Sequence, residues 1–478
     1  MSGMVIQPVL LWSDALLFVL IAAIVALTLW ARRQDALRAA WGRVLQDGMA
    51  MAAATVLAVF VLIGVLDSLH YRPQLEAQAG APTGTAPRYA VEVNSALDAL
   101  LSSLRQRSEK TYSAPLATHL YSREALENST QREFPRLMHG GAHLDKDLAG
   151  HEFDIAVRVS RGCAGGVVLW LLLATLWCRL KGLQLPAVLG SMRPGVELKV
   201  GADDTAKGAA TGSVFVTLLV ILLLLGIAIS LGGGYHVFGT DKVGQDVLYL
   251  SLKSIRTGLL IGTLTTLVML PLAVLLGILA GYVGGWVDDL IQYLYTTLSS
   301  IPGVLLIAAA VLMMQVVIDT HPDWFATSAE RADARLLALC LILGMTSWTG
   351  VARLLRGETL KLRELEFVQA AQAFGVGRLA IMRRHILPNL MHIVLISLVM
   401  DFSGLVLAEA VLSYVGVGVD PTTISFGTMI NTARMELARE PMVWWSLLAA
   451  FSFMFALVLA ANLFADAVRD AFDPRSSA

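Results

Sequence analysis

Residues Glu364–Asn389 read ELEFVQAAQAFGVGRLAIMRRHILPN. Long apolar segments lie on both sides of this passage, yet it carries Arg378, Arg383, Arg384 and His385 behind an alanine-rich run. Such a passage has little reason to stand between apolar segments unless another molecule binds it. Its small residues let a second surface approach a helix closely, and Gly375 permits a backbone turn that other residues resist. Pro388 ends a local helix or starts the next one.

The rest of the chain supplies the setting. Its 478 residues are 56% hydrophobic and only 15% charged, with mean hydropathy +0.66. Soluble domains run at about 45–50% apolar and about 25% charged. The apolar excess is gathered into blocks of roughly the 17–25 residues that cross a bilayer as helix. A core helix of a soluble protein keeps a polar stripe, and VTLLVILLLLGIAI (Val216–Ile229) has none. The composition therefore predicts an all-α, polytopic helical membrane protein embedded in a lipid bilayer. A net charge of −1 gives no reason to expect a nucleic-acid partner. Cys163, Cys178 and Cys340 lie in or beside apolar segments and read as small buried side chains, with neither a disulfide nor a metal pattern.

Nine spans are expected, at about 9–30, 49–68, 163–180, 213–232, 256–281, 289–316, 335–352, 390–415 and 443–465. Lys and Arg concentrate in 31–48 (Arg32, Arg33, Arg38, Arg43), in 181–212 (Lys181, Arg193, Lys199, Lys207) and in the passage around 364–389. Nine crossings place all three on one face, which the positive-inside rule makes the cytoplasm. The N-terminus is then outside and the C-terminus inside. The first apolar block reads as a retained span, not a secretory signal, because no basic residue precedes it and Asp14 interrupts it.

The segment 69–162 falls outside the membrane in this scheme. It begins with a linker-like QAGAPTGTAP (Gln78–Pro87). In VNSALDALLSSLRQ, Val93, Leu97, Leu100, Leu101 and Leu104 recur at helical spacing, which predicts a small, mostly helical extracytoplasmic domain. MHGGAHLDKDLAGHEFD (Met138–Asp154) holds His139, His143, His151, Asp145 and Asp147, but their spacing matches no standard zinc pattern. No metal and no cofactor is expected.

With Gln369, Ala370 and Ala371 six to four residues before Gly375, and His385-Ile386-Leu387-Pro388 closing the passage, Glu364–Asn389 resembles the coupling loop of ABC-transporter permeases. The family's glutamate is Gln369 here, which leaves at best a neutral hydrogen bond. HVFGTDKVGQDVL (His236–Leu248) resembles the outer-side signature of dipeptide and oligopeptide permeases, with Gly239, Thr240, Asp241 and Asp246 in place and Gln245 for the family arginine. Thr240 and Asp241 read as a helix N-cap pair. That signature fits either a capped re-entry turn or a gate. LAGYVGGWVDD (Leu279–Asp289) resembles the family's inner turn with Gly281, Gly285 and Asp288, while Tyr293 and Thr296 stand where related chains often carry an Arg and an Asp. Gly277 and Gly281 are spaced for close helix packing in lipid.

AEAVLSYVGVGVDP followed by SFGTM matches the family at Glu409, Gly416 and Gly418, with Phe426 replacing Trp. Asp401 and Glu409 are carboxylates inside the eighth span, hence functional candidates; Glu409 reads as structural and Asp401 is open. NLFADAVRDAFDPR (Asn462–Arg475) matches the family ending, with Asp466 and Arg469 at helical spacing.

The resemblance covers roughly residues 213–478 and implies the C-type permease subunit of the dipeptide/oligopeptide/nickel importers, in the type I importer fold. The implied organisation is 1–68 as two N-terminal spans, 69–162 as the outer domain, 163–212 as a third span with a cytosolic linker, and 213–478 as the permease domain. The implied partners are a second permease subunit, two cytosolic ABC ATPase subunits and an extracytoplasmic solute-binding protein. The chain has no Gly-x4-Gly-Lys-Ser/Thr phosphate loop, so no catalytic residue is expected in it. The residues expected to couple it to the ATPases are Gln369, Ala370, Ala371, Gly375, Arg383, Arg384, His385 and Pro388, with the two alanines and Gly375 setting the closeness of contact. Nickel or antimicrobial-peptide transport, a non-transporting sensor and a passive channel are the alternatives.

Overall fold

The computed structural model describes residues 6–31, 33, 35–75, 89–125, 132–144, 150–182, 190 and 207–472. The expected linker 78–87, Asp145 and Asp147, most of the 181–212 linker and the terminal Asp473, Pro474 and Arg475 lie outside them. Helix dominates. Eight described helices are long and apolar enough to cross a membrane: α3 (Gly48–Ser68), α6 (His151–Lys181), α7 (Lys207–Gly232), α8 (Val247–Val283), α10 (Gly303–Thr320), α11 (Ser328–Arg363), α14 (Leu387–Val415) and α16 (Trp445–Phe472). The ninth expected crossing is α1 (Trp12–Ala31), whose apolar stretch Trp12–Ala26 is shorter than the other eight. The remaining helices are α2 (Asp35–Gln46), α4 (Ala96–Leu100), α5 (Ser102–Gln106), α9 (Gly285–Ser300), α12 (Glu366–Ala373), α13 (Arg378–Ile381) and α15 (Phe426–Glu436).

Several boundaries moved for identifiable reasons. The expected span 289–316 is broken: α9 ends at Ser300, Ile301 is extended at φ −91°, ψ 132°, and α10 starts after Pro302. Proline forces its preceding residue out of the helical region and offers no N–H. α6 begins twelve residues before the expected start of its span, at a left-handed Gly150.

The segment 69–162 is less helical than expected. Its described residues hold α4, α5 and the first turns of α6, with strands β2 (His70–Pro73), β3 (Asn94–Ser95), β4 (Glu124–Ala125) and β5 (Arg132–Glu133) and irregular backbone between. Ser95 caps α4 through a reciprocal bond with Asp98, but the turn at Leu101 splits the anticipated helix, and only Leu97 and Leu104 of its apolar series are buried. β2 pairs antiparallel with β3 and with β1 (Ile6–Val9), in the register Ile6↔Pro73 and Val9↔His70. β4 and β5 form a separate two-stranded ladder.

The chain divides into two compact units. The first comprises residues 1–10, 29–257 and 424–467. Its core gathers Leu104, Tyr112, Val247, Met429, Trp445 and Ala450. Within it α6 and α7 meet through glycines: a Cβ on Gly162 would lie 2.6 Å from the Gly226 carbonyl oxygen, and one on Gly166 2.6 Å from that of Leu222. Small residues that let two backbones touch are the usual helix-pairing device in lipid, where apolar burial alone gives no preference for a neighbour. Trp170 Nε1 donates to the Phe215 carbonyl at 2.9 Å beside this contact.

The second unit comprises residues 11–28, 258–423 and 468–478. The first helix enters it: Leu17 joins Leu260, Leu264, Leu339 and Leu412, and Asp333 accepts from both the backbone N–H and the hydroxyl of Ser13. A larger core gathers Met269, Tyr295, Trp348, Leu355, Val368, Ile381 and Ile386. Gly277 packs on the Ala352 carbonyl, and Gly281 on Thr359 and the Arg356 carbonyl, so both act in close packing.

Candidate functional site

The passage 364–389 folds as a foot hanging from the second unit. α12 follows the end of α11 and turns at Gly375, whose φ of +74° is left-handed and whose missing Cβ faces open space. The backbone conformation, not crowding, asks for glycine there. After α13, a π-helical turn over Met382–Ile386 leads into α14, and the Leu387 N–H bonds five residues back to the Met382 carbonyl. Proline at 388 lacks the N–H that would serve the Arg384 carbonyl, and such wide turns are how a helix absorbs a missing bond.

The foot is anchored by Val368, Ala371, Ile381 and Ile386, all buried in the larger core of this unit. Ala371, only 8% exposed, therefore packs against its own chain, and a glutamate there would disturb the foot's seating before it met any partner. Gln369 and Ala370 are exposed, and Gln369 Nε2 donates to the Glu364 carbonyl at 3.1 Å. Arg383, Arg384 and Pro388 are exposed, while His385 is half-buried with its ring 6.3 Å from that of Phe367. What the residue pattern did not single out is the tip: Phe374 is 88% and Leu379 75% exposed, with Phe367 and Val376 also open. The available signal was two large apolar residues flanking the glycines of an otherwise polar loop.

The inner turn stands behind the foot in the same unit. Gly284 and Gly285 are both left-handed, at φ 67° and 58°, and swing the chain into α9. There Asp288 makes a two-pronged pair with Arg356 at 2.6 and 2.7 Å, and Arg353 lies over the Tyr295 ring at 4.9 Å. Tyr293 and Thr296, which replace the family charges, both face outward. Elsewhere in this unit Glu409 is buried and accepts from the Ser413 hydroxyl at 2.6 Å. Gly416 closes α14 in the left-handed region, and Gly418 presses on Ser413, where a Cβ would come within 1.9 Å of its Oγ. Asp466 and Arg469 are exposed on α16.

The signature 236–248 lies in the first unit, and its helix cap is Asp246: Oδ1 accepts from the Leu248 N–H at 2.9 Å. Thr240 and Asp241 are not the cap. Asp241 Oδ1 closes a tight turn by accepting from Val243 and Gln245. Thr240 Oγ1 donates to the Thr111 carbonyl at 2.9 Å and accepts from the Ser113 N–H at 2.7 Å. The segment 107–144 is in fact bonded along the signature. Glu109 N–H reaches the Gly244 carbonyl, Thr240 N–H that of Ser113, Leu116 N–H that of His236, and Gly141 N–H that of Gly234. Part of the segment's backbone is thus satisfied by the loop, and the rest by bonds within the segment such as Tyr121 N–H to Tyr112 and Leu137 N–H to Thr118.

The junction is a buried charge cluster. His236 Nδ1 lies 2.8 Å from Asp246 Oδ2, and Nε2 lies 3.4 Å from Glu109 Oε1. The N–H groups of Met138, His139 and Gly140 also donate to Glu109. Burial opposes the Glu109 charge, but His236 and the three N–H donors outweigh it and hold the carboxyl down at about 2. Burial likewise opposes the His236 charge, and the two carboxylates overcome it, pushing the imidazole up to about 9. Nothing in RQRSEKTYS marked Glu109, because its partners lie far along the chain.

The histidines of 138–154 are used otherwise. His143 Nε2 is 2.8 Å from Asp154, which also receives Arg158 and the Tyr235 hydroxyl, and His151 stacks on Tyr235. Among the described residues no three His, Cys, Asp or Glu are grouped to hold a metal ion.

The family described as "Binding-protein-dependent transport system inner membrane component" matches residues 273–478. The chain is 31% identical over 244 residues to the oligopeptide transport system permease protein OppC of Mycobacterium tuberculosis, covering 51% of this chain and 77% of that protein. It is 30% identical over 242 residues to the dipeptide transport system permease protein DppC of Lactococcus lactis, covering 51% and 64%. It is 31% identical over 242 residues to the glutathione transport system permease protein GsiD of Pectobacterium atrosepticum, covering 50% and 73%. With the order of motifs, the multi-pass helical fold and these similarities taken together, the chain belongs to the binding-protein-dependent transport permeases, in the branch of C-type subunits of the dipeptide/oligopeptide ABC importers.

Proposed function

We propose that this chain is the transmembrane permease subunit of an ATP-driven ABC transporter that imports peptides across the cytoplasmic membrane. The observation that carries the reading is identity spread over half the chain to permeases named for oligopeptides, dipeptides and glutathione. The chain itself forms the path and takes its drive from elsewhere. Two cytosolic ATPase subunits bind and hydrolyse ATP, a second permease subunit completes the path, and an extracytoplasmic solute-binding protein delivers the peptide.

The foot supports this division of labour. It offers Phe374 and Leu379 to a partner while Val368, Ile381 and Ile386 root it in the core. A push on the tip is thereby passed to α11 and α14 through close packing. Gln369, Ala370, Gly375, Arg383, Arg384, His385 and Pro388 shape and orient this foot, and Ala371 seats it. In this scheme the foot and the C-terminus are cytosolic. The N-terminus lies outside with the segment 69–162, a placement supported by the pairing of β1 with β2. Strands that flank two crossings and pair with each other must share a side.

The test is purification of the complete complex from its native membrane. The reading requires two ATPase subunits and a second permease to co-purify with the chain, and ATP-dependent uptake of labelled trialanine after reconstitution with the cognate binding protein. A chain that purifies with a kinase, or that passes solute without ATP, would belong to a sensor or a channel instead.

A further inference from the structure

Asp401 is the central residue of the 29 in α14. At 1.5 Å per residue about 21 Å of helix rises on either side of it, which sets it near the middle of a hydrocarbon layer about 30 Å thick. Its side chain lies on the inward stripe of α14, in series with the buried Leu390, Val394, Ser397, Leu405 and Leu412. The neighbouring stripe of Met400, Leu407 and Val411, about a quarter turn away, is exposed and apolar. Asp401 is half-buried, and its Oδ2 is shielded from solvent without a donor among the described residues. The contrast with Glu409, two turns along and bonded to Ser413, is sharp. A carboxylate at this depth costs several kcal/mol unless a cation or donor meets it, and no described side chain does so. Among the described residues that complement is missing, and a cationic molecule in the path would supply it.

We infer that Asp401 is a substrate-contact residue of the translocation path that receives a primary ammonium group of the transported molecule. The inference rests on the peptide-import reading, since a peptide carries such a group at its α-amine and on any lysine side chain. Asp401 pairs with that ammonium in transit, so passage of the cation is favoured at the point where the path is driest.

The experiment uses the complete transporter with its binding protein. Asp401→Asn keeps the shape and removes the charge, and it lowers trialanine uptake at least fivefold with the chain's membrane level unchanged. Asp401→Glu, which restores the charge, recovers most of the uptake. A parallel arm with N-acetylated alanyl-lysyl-alanine separates the two sources of ammonium: loss for trialanine alone assigns the α-amine, and loss for both assigns any primary ammonium. In a chain whose three native cysteines are replaced, Asp401→Cys reacts with a cationic thiosulfonate reagent, and trialanine slows that reaction. Wild-type uptake of both peptides by Asp401→Asn, or a reaction that trialanine does not slow, overturns the assignment. Failure of the wild-type complex to take up either peptide removes the import reading and this assignment with it, whereas an indifferent Asp401→Asn in a working importer removes this assignment alone.

Discussion

His236 is held between two buried carboxylates. Its imidazolium faces Asp246 on its own loop and Glu109 from the segment 107–144, and the N–H groups of Met138, His139 and Gly140 complete the shell around Glu109. The histidine is raised in the folded state to about 9 from an ordinary value of 6.5. Its stabilising contribution is therefore complete below about 6.5 and disappears as the pH climbs through 9. Glu109 is depressed to about 2, so its share is complete above about 4.5 and is lost only in strong acid. Thermal unfolding of the detergent-purified chain should accordingly show a plateau between about pH 4.5 and 6.5 and a falling midpoint from pH 7 to 10. His236→Gln should flatten the alkaline limb. His236→Ala leaves two buried carboxylates without their cation and should cost about 3–5 kcal/mol.

Two glycines at similar φ make a second contrast. Gly244 at φ +77° leaves no room, since a Cβ would fall 1.8 Å from the Glu109 carbonyl oxygen; Gly375 at φ +74° has open space around it. Both alanine variants carry a left-handed penalty of about 1–3 kcal/mol. Gly244→Ala must in addition push the segment 107–144 off the signature. Hydrogen exchange at the Glu109 and Leu116 amides should rise in Gly244→Ala and stay as in wild type in Gly375→Ala.

Among the elements, the foot separates anchoring from contact by burial. Phe374 touches little of its own chain, so Phe374→Ala should move the unfolding midpoint by less than about 0.5 kcal/mol equivalent. Buried aromatic anchors dominate interfaces, and a proposed partner surface loses one here. Co-purified ATPase or ATP-dependent uptake should fall at least tenfold. Val368→Ala is the counterpart, since Val368 is fully buried under the foot. It should destabilise the chain by about 1–3 kcal/mol, as cavity formation does. An outcome in which the Phe374 variant couples normally would remove the tip from the contact. The helix pair α6 and α7 shows the same logic in lipid: Gly162, Gly166 and Gly226 matter for what they leave out.

For the molecule as a whole, the pairing of β1 with β2 bears on orientation. Ile6–Val9 lies against His70–Pro73 although two apolar helices, α1 and α3, separate them in the chain. In the proposed topology the basic segment 31–48 between those helices is cytoplasmic, and both strands then face outward. A membrane-impermeant thiol reagent applied to intact cells should label Gln7→Cys and leave Phe374→Cys unlabelled until the membrane is opened. The reverse pattern would invert the proposed topology. The segment 107–144 also ceases to be a detachable module at this scale. The bonds from Glu109, Ser113, Leu116 and Gly141 make 107–144 part of the wall that holds the signature.

What the residue order determined by itself was the class of molecule and its family. Apolar runs without a polar stripe, such as Val216–Ile229, force helices into lipid because an unbonded backbone is prohibitive there. The motifs from His236 to Arg469 are local strings whose spacing survives without knowledge of the fold. Local chemistry also foretold the turn at Gly375, and the family resemblance the one at Gly285, whereas the left-handed end of α14 at Gly416 emerged only with the structure. Only the tertiary structure decided which side each small residue faces: Ala370 is outside and Ala371 inside by one step of a helix. It alone could bring Glu109 to His236 across 127 positions, break the expected helix at Leu101 and leave Asp401 Oδ2 without a donor among the described residues. Those outcomes depend on contacts between distant parts of the chain, and the energy of a buried charge is set by whatever group packing places beside it, not by its neighbours in sequence.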